Sequence, residues 1–176
     1  KLAKELIDKA AWAGADCVKF QMRQLESLYR NAGDPNDIRE DLGSQYTLDL
    51  LDRFGLSNEE MFESFDYCRS KGIFPLCTPW DPESIEVLER YGVEAYKVAS
   101  ADLTNHDLLS CIAKTKCPIF LSTGMSSEDE IIQAVNILKQ HGVPYLLLHC
   151  NSTYPAPFMD INLRYIERLK DIADCP

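Results

Sequence analysis

Histidine is scarce in this chain, at three of 176 residues, and none of the seven cysteines stands in a CxxC pair. Structural zinc sites are built from such close pairs, so zinc ligation is not indicated. Positive charge is also short: 18 Lys and Arg against 28 Asp and Glu leave a formal charge of −10 and a pI near 4.7. No Lys/Arg cluster with interleaved aromatics offsets that balance, which argues against nucleic acid as a partner. Apolar runs are a few residues long, far short of the roughly 20 needed to span a bilayer, and no charged leader precedes one. No membrane association is expected. Neither GxGxxG nor GxxxxGK(S/T) occurs, so nothing signals a dinucleotide or a P-loop nucleotide. The odd number of scattered cysteines reads as a reduced, cytoplasmic chain, and those in "PLCTP" and "LLLHC" sit in apolar runs where a thiol behaves as a small core residue.

What the chain does have is enough apolar side chain, 45% of residues, to bury one core. Five apolar runs, 17–21, 73–77, 95–100, 118–123 and 145–150, read as strands. Their hydrophobicity is near-continuous instead of alternating, the pattern of parallel strands covered on both sides. Helices lie between them. Ser57 with Glu60 and Ser127 with Glu130 form capping boxes, and Asp81-Pro82 places a capping carboxylate before a proline suited to the first turn. Met61, Phe62, Phe65 and Cys68 then recur at helical spacing, as do Ile131, Ile132, Val135 and Leu138. Gly72, Gly92 and Gly142 supply the stops. An opening helix carries the stripe Leu2, Leu6, Ala10 and Ala13, and a closing helix carries Leu163, Ile166 and Leu169. Strand starts from 73 onward are some two dozen residues apart, the spacing of consecutive right-handed strand-helix-strand units. A parallel α/β architecture is the expectation. The polar stretch 22–56 is the exception, a long link read as a functional loop or as disorder.

Ligands of parallel α/β folds bind where strands end, so the informative residues are those at which each apolar run turns polar. They are Lys19 and Gln21, then Thr78, then Lys97 and Ser100, then Ser122 and Thr123, then Asn151, Ser152 and Tyr154. These cations and hydroxyls sit on a chain that is acidic elsewhere. A lysine buried unpaired costs several kcal/mol, on the order of what a bound anion returns. Either lysine alone fits an interior ion pair equally well; together with the hydroxyls they favour a phosphate or carboxylate site. Thr123-Gly124 ahead of the Ser127 cap offers backbone N–H groups to an anion, or is a plain tight turn. His149 and Cys150, adjacent on a strand, point to opposite faces and do not form a nucleophile-base pair. Cys150 reads as packing and His149 as a hydrogen-bonded core residue, with contact to substrate as the alternative. His106 and His141 read as surface residues at helix ends, and Tyr29 and Tyr46 as packing under the 22–56 loop.

The strings "ADCVKFQ", "CTPWD", "AYKVASADLTN", "LSTGM" and "LLHCNSTYPAP", in this order, resemble the N-acetylneuraminate (sialic acid) synthase family with its legionaminate and pseudaminate relatives. The resemblance covers essentially the whole chain. It implies a (β/α)₈ TIM barrel of roughly 250 residues, of which residues 1–176 supply strands two to six with their helices. The first, seventh and eighth strands, two metal-ligating histidines and a C-terminal antifreeze-like domain are then expected outside these residues, so that no metal ligand lies in this chain. It implies condensation of phosphoenolpyruvate with an N-acetylated aminosugar such as N-acetylmannosamine, releasing phosphate, with Mn²⁺ or Mg²⁺ as Lewis acid, in a homodimer. Carried over by position, Lys19 and Lys97 hold the carboxylate and phosphate of phosphoenolpyruvate, Thr78, Ser100 and Ser122 donate hydroxyls to it, and Gln21 and Tyr154 approach the sugar. Asp102 stands where the family commonly has Glu. Some members have Asn at the position of Ser152, whereas here the Asn is one residue earlier, at Asn151, a shift that turns a strand side chain to the opposite face. The alternatives are another anion-binding barrel, such as a Schiff-base aldolase using Lys97 or Lys19, and a non-catalytic fragment.

Overall fold

The computed structural model describes residues 1–25, 51 and 53–174 and divides into two compact units, residues 1–18 with 23–75 and residues 19–22 with 76–176. Tyr29, Tyr46 and most of the 22–56 link lie outside the described residues.

In the first unit, helix α1 (Leu2–Trp12) packs with helix α2 (Asn58–Ser70). The α2 capping box forms as expected, and its buried face is Met61, Ser64, Phe65 and Cys68, with Phe62 half-buried. Asp8 ties the two helices together: it accepts from the Tyr67 hydroxyl at 2.9 Å and pairs with Lys71 at 2.8 Å. Those hydrogen bonds, Lys71 first, hold its carboxyl below the ordinary range. Lys4 reaches Glu63 at 3.6 Å. With Lys4 and Asp8 turned to α2, the buried residue of α1 is Ile7, whereas Leu2 and Leu6 are 67% and 61% exposed. Among the described residues, then, Leu2 and Leu6 of the expected Leu2, Leu6, Ala10 and Ala13 stripe are exposed and Ile7 is the buried residue. Two apolar stripes share the 3.6-residue period, and the polar links to α2 select the other one.

The second unit carries the sheet, in the order β1-β2-β3-β4-β5. The strands are β1 (Cys17–Met22), β2 (Phe74–Pro79), β3 (Tyr96–Val98), β4 (Ile119–Ser122) and β5 (Tyr145–Leu148). Pairing is parallel from β2 to β5, with Lys97 opposite Phe120 and Phe120 opposite Leu146. Paired residues share a face, and neighbours along a strand alternate. One face therefore carries Tyr96, Val98, Ile119, Leu121 and Leu147, all at most 9% exposed. The other carries Lys97, Phe120, Ser122, Leu146 and Leu148. The central strands are buried nearly throughout, as near-continuous hydrophobicity predicts. β1 instead alternates, Lys19 and Gln21 exposed and Met22 buried, as an outermost strand of the described sheet does.

Helices α3 (Pro82–Tyr91), α4 (His106–Lys114), α5 (Glu128–His141) and α6 (Tyr165–Ala173) alternate with the strands. The Asp81 cap, the Ser127/Glu130 box and the left-handed Gly92 and Gly142 stops form as their chemistry dictates. Asn105 caps α4, an additional cap. His106 and His141 are half-buried at helix ends. Two apolar assignments change. Ile132 is 37% exposed and Ala134 takes its place on the buried face of α5. Leu163 precedes α6 and is 65% exposed, Ile166 is 41% exposed, and the face is completed by Leu169 and Ala173. Small alanines sit where the helix backbone approaches its neighbours, and a scan for large apolar residues passes over them.

Candidate functional site

Lys97 is central. Its place on three-residue β3 puts the side chain on the face away from Tyr96, and it is 6% exposed. Its Nζ donates to the Val98 carbonyl oxygen at 2.5 Å. Burial first, and then the nearby Lys19 charge, draw its pKa down to about 8 against a smaller opposing effect of Cys150. Among the described residues neither Lys97 nor Lys19 has a carboxylate partner. An interior ion pair thus finds no support there. Lys19 is close enough for its charge to act on Lys97, and hydroxyl residues end the neighbouring strands, an arrangement that a bound anion would relieve.

The hydroxyls sit at the following strand ends. Thr78, one residue beyond the Cys77–Tyr96 pairing, is level with Lys97 and 3% exposed. Ser100 opens a single 3₁₀ turn (Ser100–Asp102) after β3, and its Oγ accepts the Gly124 N–H at 3.1 Å. Ser122, 5% exposed at the end of β4, has its Oγ 3.2 Å from the Cys150 thiol, which donates to it. Thr123 is different: its hydroxyl and its N–H both donate to the Leu148 carbonyl, at 3.0 and 3.1 Å, so it fastens β4 to β5. The Gly124 N–H is likewise engaged within the protein, and the glycine is required by close approach. A Cβ there would lie 2.7 Å from the Cys150 carbonyl oxygen.

The remaining residues form a looser periphery. Gln21 is exposed on the same side of β1 as Lys19. Asp102 is half-buried in its 3₁₀ turn and accepts from Asn105 Nδ2 at 3.3 Å. An open cavity of about 980 Å³ lies beyond β4 and β5, lined among others by Ser126, Asn151, Ser152, His149 and Arg168. Asn151 is held by the Thr153 N–H at 2.9 Å and by Asp160 at 3.3 Å. Tyr154 is 93% exposed and does not line that cavity, and neither do Lys19 and Lys97. His149 Nε2 donates to the Ile161 carbonyl at 2.6 Å and its ring stands 5.9 Å from that of Tyr165, a satisfied histidine.

Sequence reasoning offered the Gly124 N–H to an anion, whereas the structure gives it to Ser100, and it missed Cys150 as a neighbour of Ser122. Strand alternation already separates Cys150 from His149, but only the sheet register shows which side holds Ser122 and Lys97. Among the described residues no group of three or more His, Cys, Asp and Glu side chains could hold a metal ion. The Mn²⁺ or Mg²⁺ implied by resemblance finds no ligand set there. No helix among the described residues is long and apolar enough to cross a membrane.

The chain is 39% identical over 176 residues to an uncharacterized protein of Methanocaldococcus jannaschii, covering 99% of this chain and 49% of that one. It is 35% identical over 175 residues to the N,N'-diacetyllegionaminic acid synthase of Campylobacter jejuni, covering 97% and 52%. The chain thus spans about half the length of these relatives. The crystal structure of an N-acetylneuraminic acid (sialic acid) synthetase from Leptospira borgpetersenii superposes with a TM-score of 0.84 at 33% identity, over 97% of this chain and 55% of that one. The five parallel strands and their helices match part of the TIM barrel of such structures. Residues 6–176 match the NeuB family model, and the chain belongs to the NeuB family.

Proposed function

We propose that this chain forms the phosphoenolpyruvate-binding part of a synthase that condenses phosphoenolpyruvate with an N-acetylated aminosugar and releases phosphate. The observation that carries the reading is Lys97, buried near Lys19 with no carboxylate partner among the described residues, on the sheet face that also carries Thr78 and Ser122, with Ser100 just after its strand. Phosphoenolpyruvate is a small dianion or trianion with a carboxylate and a phosphate, matching two cations and several donors. In the condensation, C3 of phosphoenolpyruvate attacks the aldehyde carbon of the sugar, water adds at C2, and the tetrahedral product expels phosphate. Lys97 and Lys19 stabilise the anionic oxygens through these changes, and the hydroxyls fix the ligand's orientation. No covalent nucleophile from the chain is required. Gln21, Asp102, Asn151, Ser152 and Tyr154 are assigned to the sugar side. The acceptor is N-acetylmannosamine or a diacetamido trideoxy sugar; the relatives are named as synthases of N,N'-diacetyllegionaminic acid, pseudaminic acid and N-acetylneuraminate 9-phosphate. The complete protein acts as a cytoplasmic homodimer that takes up Mn²⁺ or Mg²⁺ through residues outside those described.

Phosphate release by the complete protein, offered phosphoenolpyruvate and each sugar in turn, tests the reading. Lys97→Ala should abolish turnover and weaken phosphoenolpyruvate binding; unchanged values for both would sink it. One observation favours a second reading: a lysine with its pKa near 8 is part-neutral near physiological pH, as a Schiff-base amine needs to be. Borohydride with substrate separates the two, because an aldolase is labelled irreversibly at the lysine and the synthase is not.

A further inference from the structure

We infer that Gly124 and Cys150 are positioning residues that aim the protons of Ser100 and Ser122 at the anion. The inference rests on the phosphoenolpyruvate reading above and deepens it. A serine hydroxyl has one proton and two lone pairs, and it can serve as donor or acceptor as it rotates. Beside an anionic ligand only the donor orientation is useful. The Gly124 N–H occupies a lone pair of Ser100 Oγ at 3.1 Å, and the Cys150 thiol occupies one of Ser122 Oγ at 3.2 Å. The Ser100 proton has no reason to point back at an N–H, which cannot accept, and the Ser122 proton gains little from a thiol sulfur, a weak acceptor. Both hydroxyls are thereby left with their protons for the ligand, before the ligand arrives, which is the preorganisation that makes donors effective toward developing negative charge.

The two supporting groups form one device. A Cβ on residue 124 would come within 2.7 Å of the Cys150 carbonyl oxygen and 3.0 Å of its carbonyl carbon and Cβ. Two of those atoms are backbone and cannot swing aside, so any side chain at 124 pushes the Thr123-Gly124 turn away from the end of β5. That displacement withdraws the Gly124 N–H from Ser100 and disturbs the Cys150 thiol beside Ser122. The turn after β4 is thus clamped between the ends of β3 and β5: Thr123 holds Leu148, Gly124 holds Ser100, and Cys150 holds Ser122.

The test is a double-mutant cycle on the complete protein, reading the dissociation constant of phosphoenolpyruvate by calorimetric titration together with kcat and KM. Ser100→Ala and Gly124→Ala should each weaken binding about tenfold, and the double variant should be no weaker than the worse single one. Additive losses, or a Gly124→Ala protein that binds like the wild type, overturn the inference. Should Gly124→Ala fail to fold, the Cys150 arm decides. Cys150→Ser keeps a donor and should bind within about threefold of wild type, whereas Cys150→Ala should match the loss seen in Ser122→Ala. Equal behaviour of Cys150→Ser and Cys150→Ala overturns it. Wild-type protein that does not bind phosphoenolpyruvate at all defeats the parent reading and this inference with it; wild type that binds while the cycle is additive defeats this inference alone.

Discussion

Lys97 Nζ donates to the carbonyl oxygen of its own neighbour, Val98, at 2.5 Å, a bond to a neutral group that leaves the buried charge uncompensated. With the pKa drawn down to about 8, chiefly by burial, proton and anion should bind together. Phosphoenolpyruvate affinity should hold steady below pH 8 and fall about tenfold per unit above it, as the free protein loses the Lys97 proton. Calorimetric titration from pH 6.5 to 9.5 reads this directly. A flat profile would mean that Lys97 does not meet the ligand.

Lys19 supplies the second-largest contribution to that shift. Lys19→Gln removes a like charge, so Lys97 should keep its proton to higher pH, and the alkaline limb should move upward even as binding weakens overall. The direction is diagnostic. A limb that stays in place or moves down would separate the two lysines electrostatically.

Stability should run opposite to function at position 97. The ordinary lysine pKa of 10.5 exceeds the folded value of about 8, so between these pH values the unfolded chain holds a proton that the folded one has released. Stability contributed by this group therefore rises with pH across that window and is lowest below it. Lys97→Met removes the cost, which is about 1–2 kcal/mol after discounting for solvent screening at the strand ends. The variant should unfold at higher urea than wild type at pH 7 while no longer binding phosphoenolpyruvate, a common trade at functional sites. A destabilised Lys97→Met would show that its charge is compensated after all.

Tyr96, one residue away, should behave in the reverse manner. It points to the helix side, is 0% exposed, and donates to Glu89 Oε1 on α3 at 2.6 Å. Tyr96→Phe should cost about 1–2 kcal/mol in urea unfolding, as a lost hydrogen bond to a charged group does, with phosphoenolpyruvate affinity unchanged. The pair of variants separates the two faces of one strand.

Much of this was legible in the sequence because it rests on local chemistry. Ser57, Asp81 and Ser127 name helix starts, and the change from apolar to polar residues marks where each strand gives way. What failed depends on tertiary partners. Leu2 and Leu6 satisfy the helical period as well as Ile7 does, and only the links from Lys4 and Asp8 to α2 choose between them. Ala134 and Ala173 are 0% and 1% exposed, burial that follows from their tertiary surroundings and that the larger apolar residues named for these helices do not reveal. Tyr154 reads as the end of a strand that in fact stops at Leu148, six residues earlier, so the side chain stands in solvent. Gly124 reads as an anion-facing N–H or a turn residue, whereas its need for glycine arises from a residue 26 positions on.

The Asp81 cap gives a last prediction, because it is buried where most caps are exposed. Asp81 is 3% exposed, and its carboxylate accepts the Ser84 N–H at 2.6 Å and the Ser84 hydroxyl at 3.0 Å at the start of α3. Asp81→Ala strands both donors inside the protein and should cost about 2 kcal/mol or somewhat more, the upper end of the range for a lost N-cap. Asp81→Asn keeps an oxygen for the Ser84 N–H and should recover most of that loss, since Asn caps nearly as well as Asp. Urea unfolding of the complete protein at pH 7 compares the three. If Asn and Ala were equally destabilising, the role of Asp81 would lie in its charge and not in the cap, and the start of α3 would have to be explained by Pro82 alone.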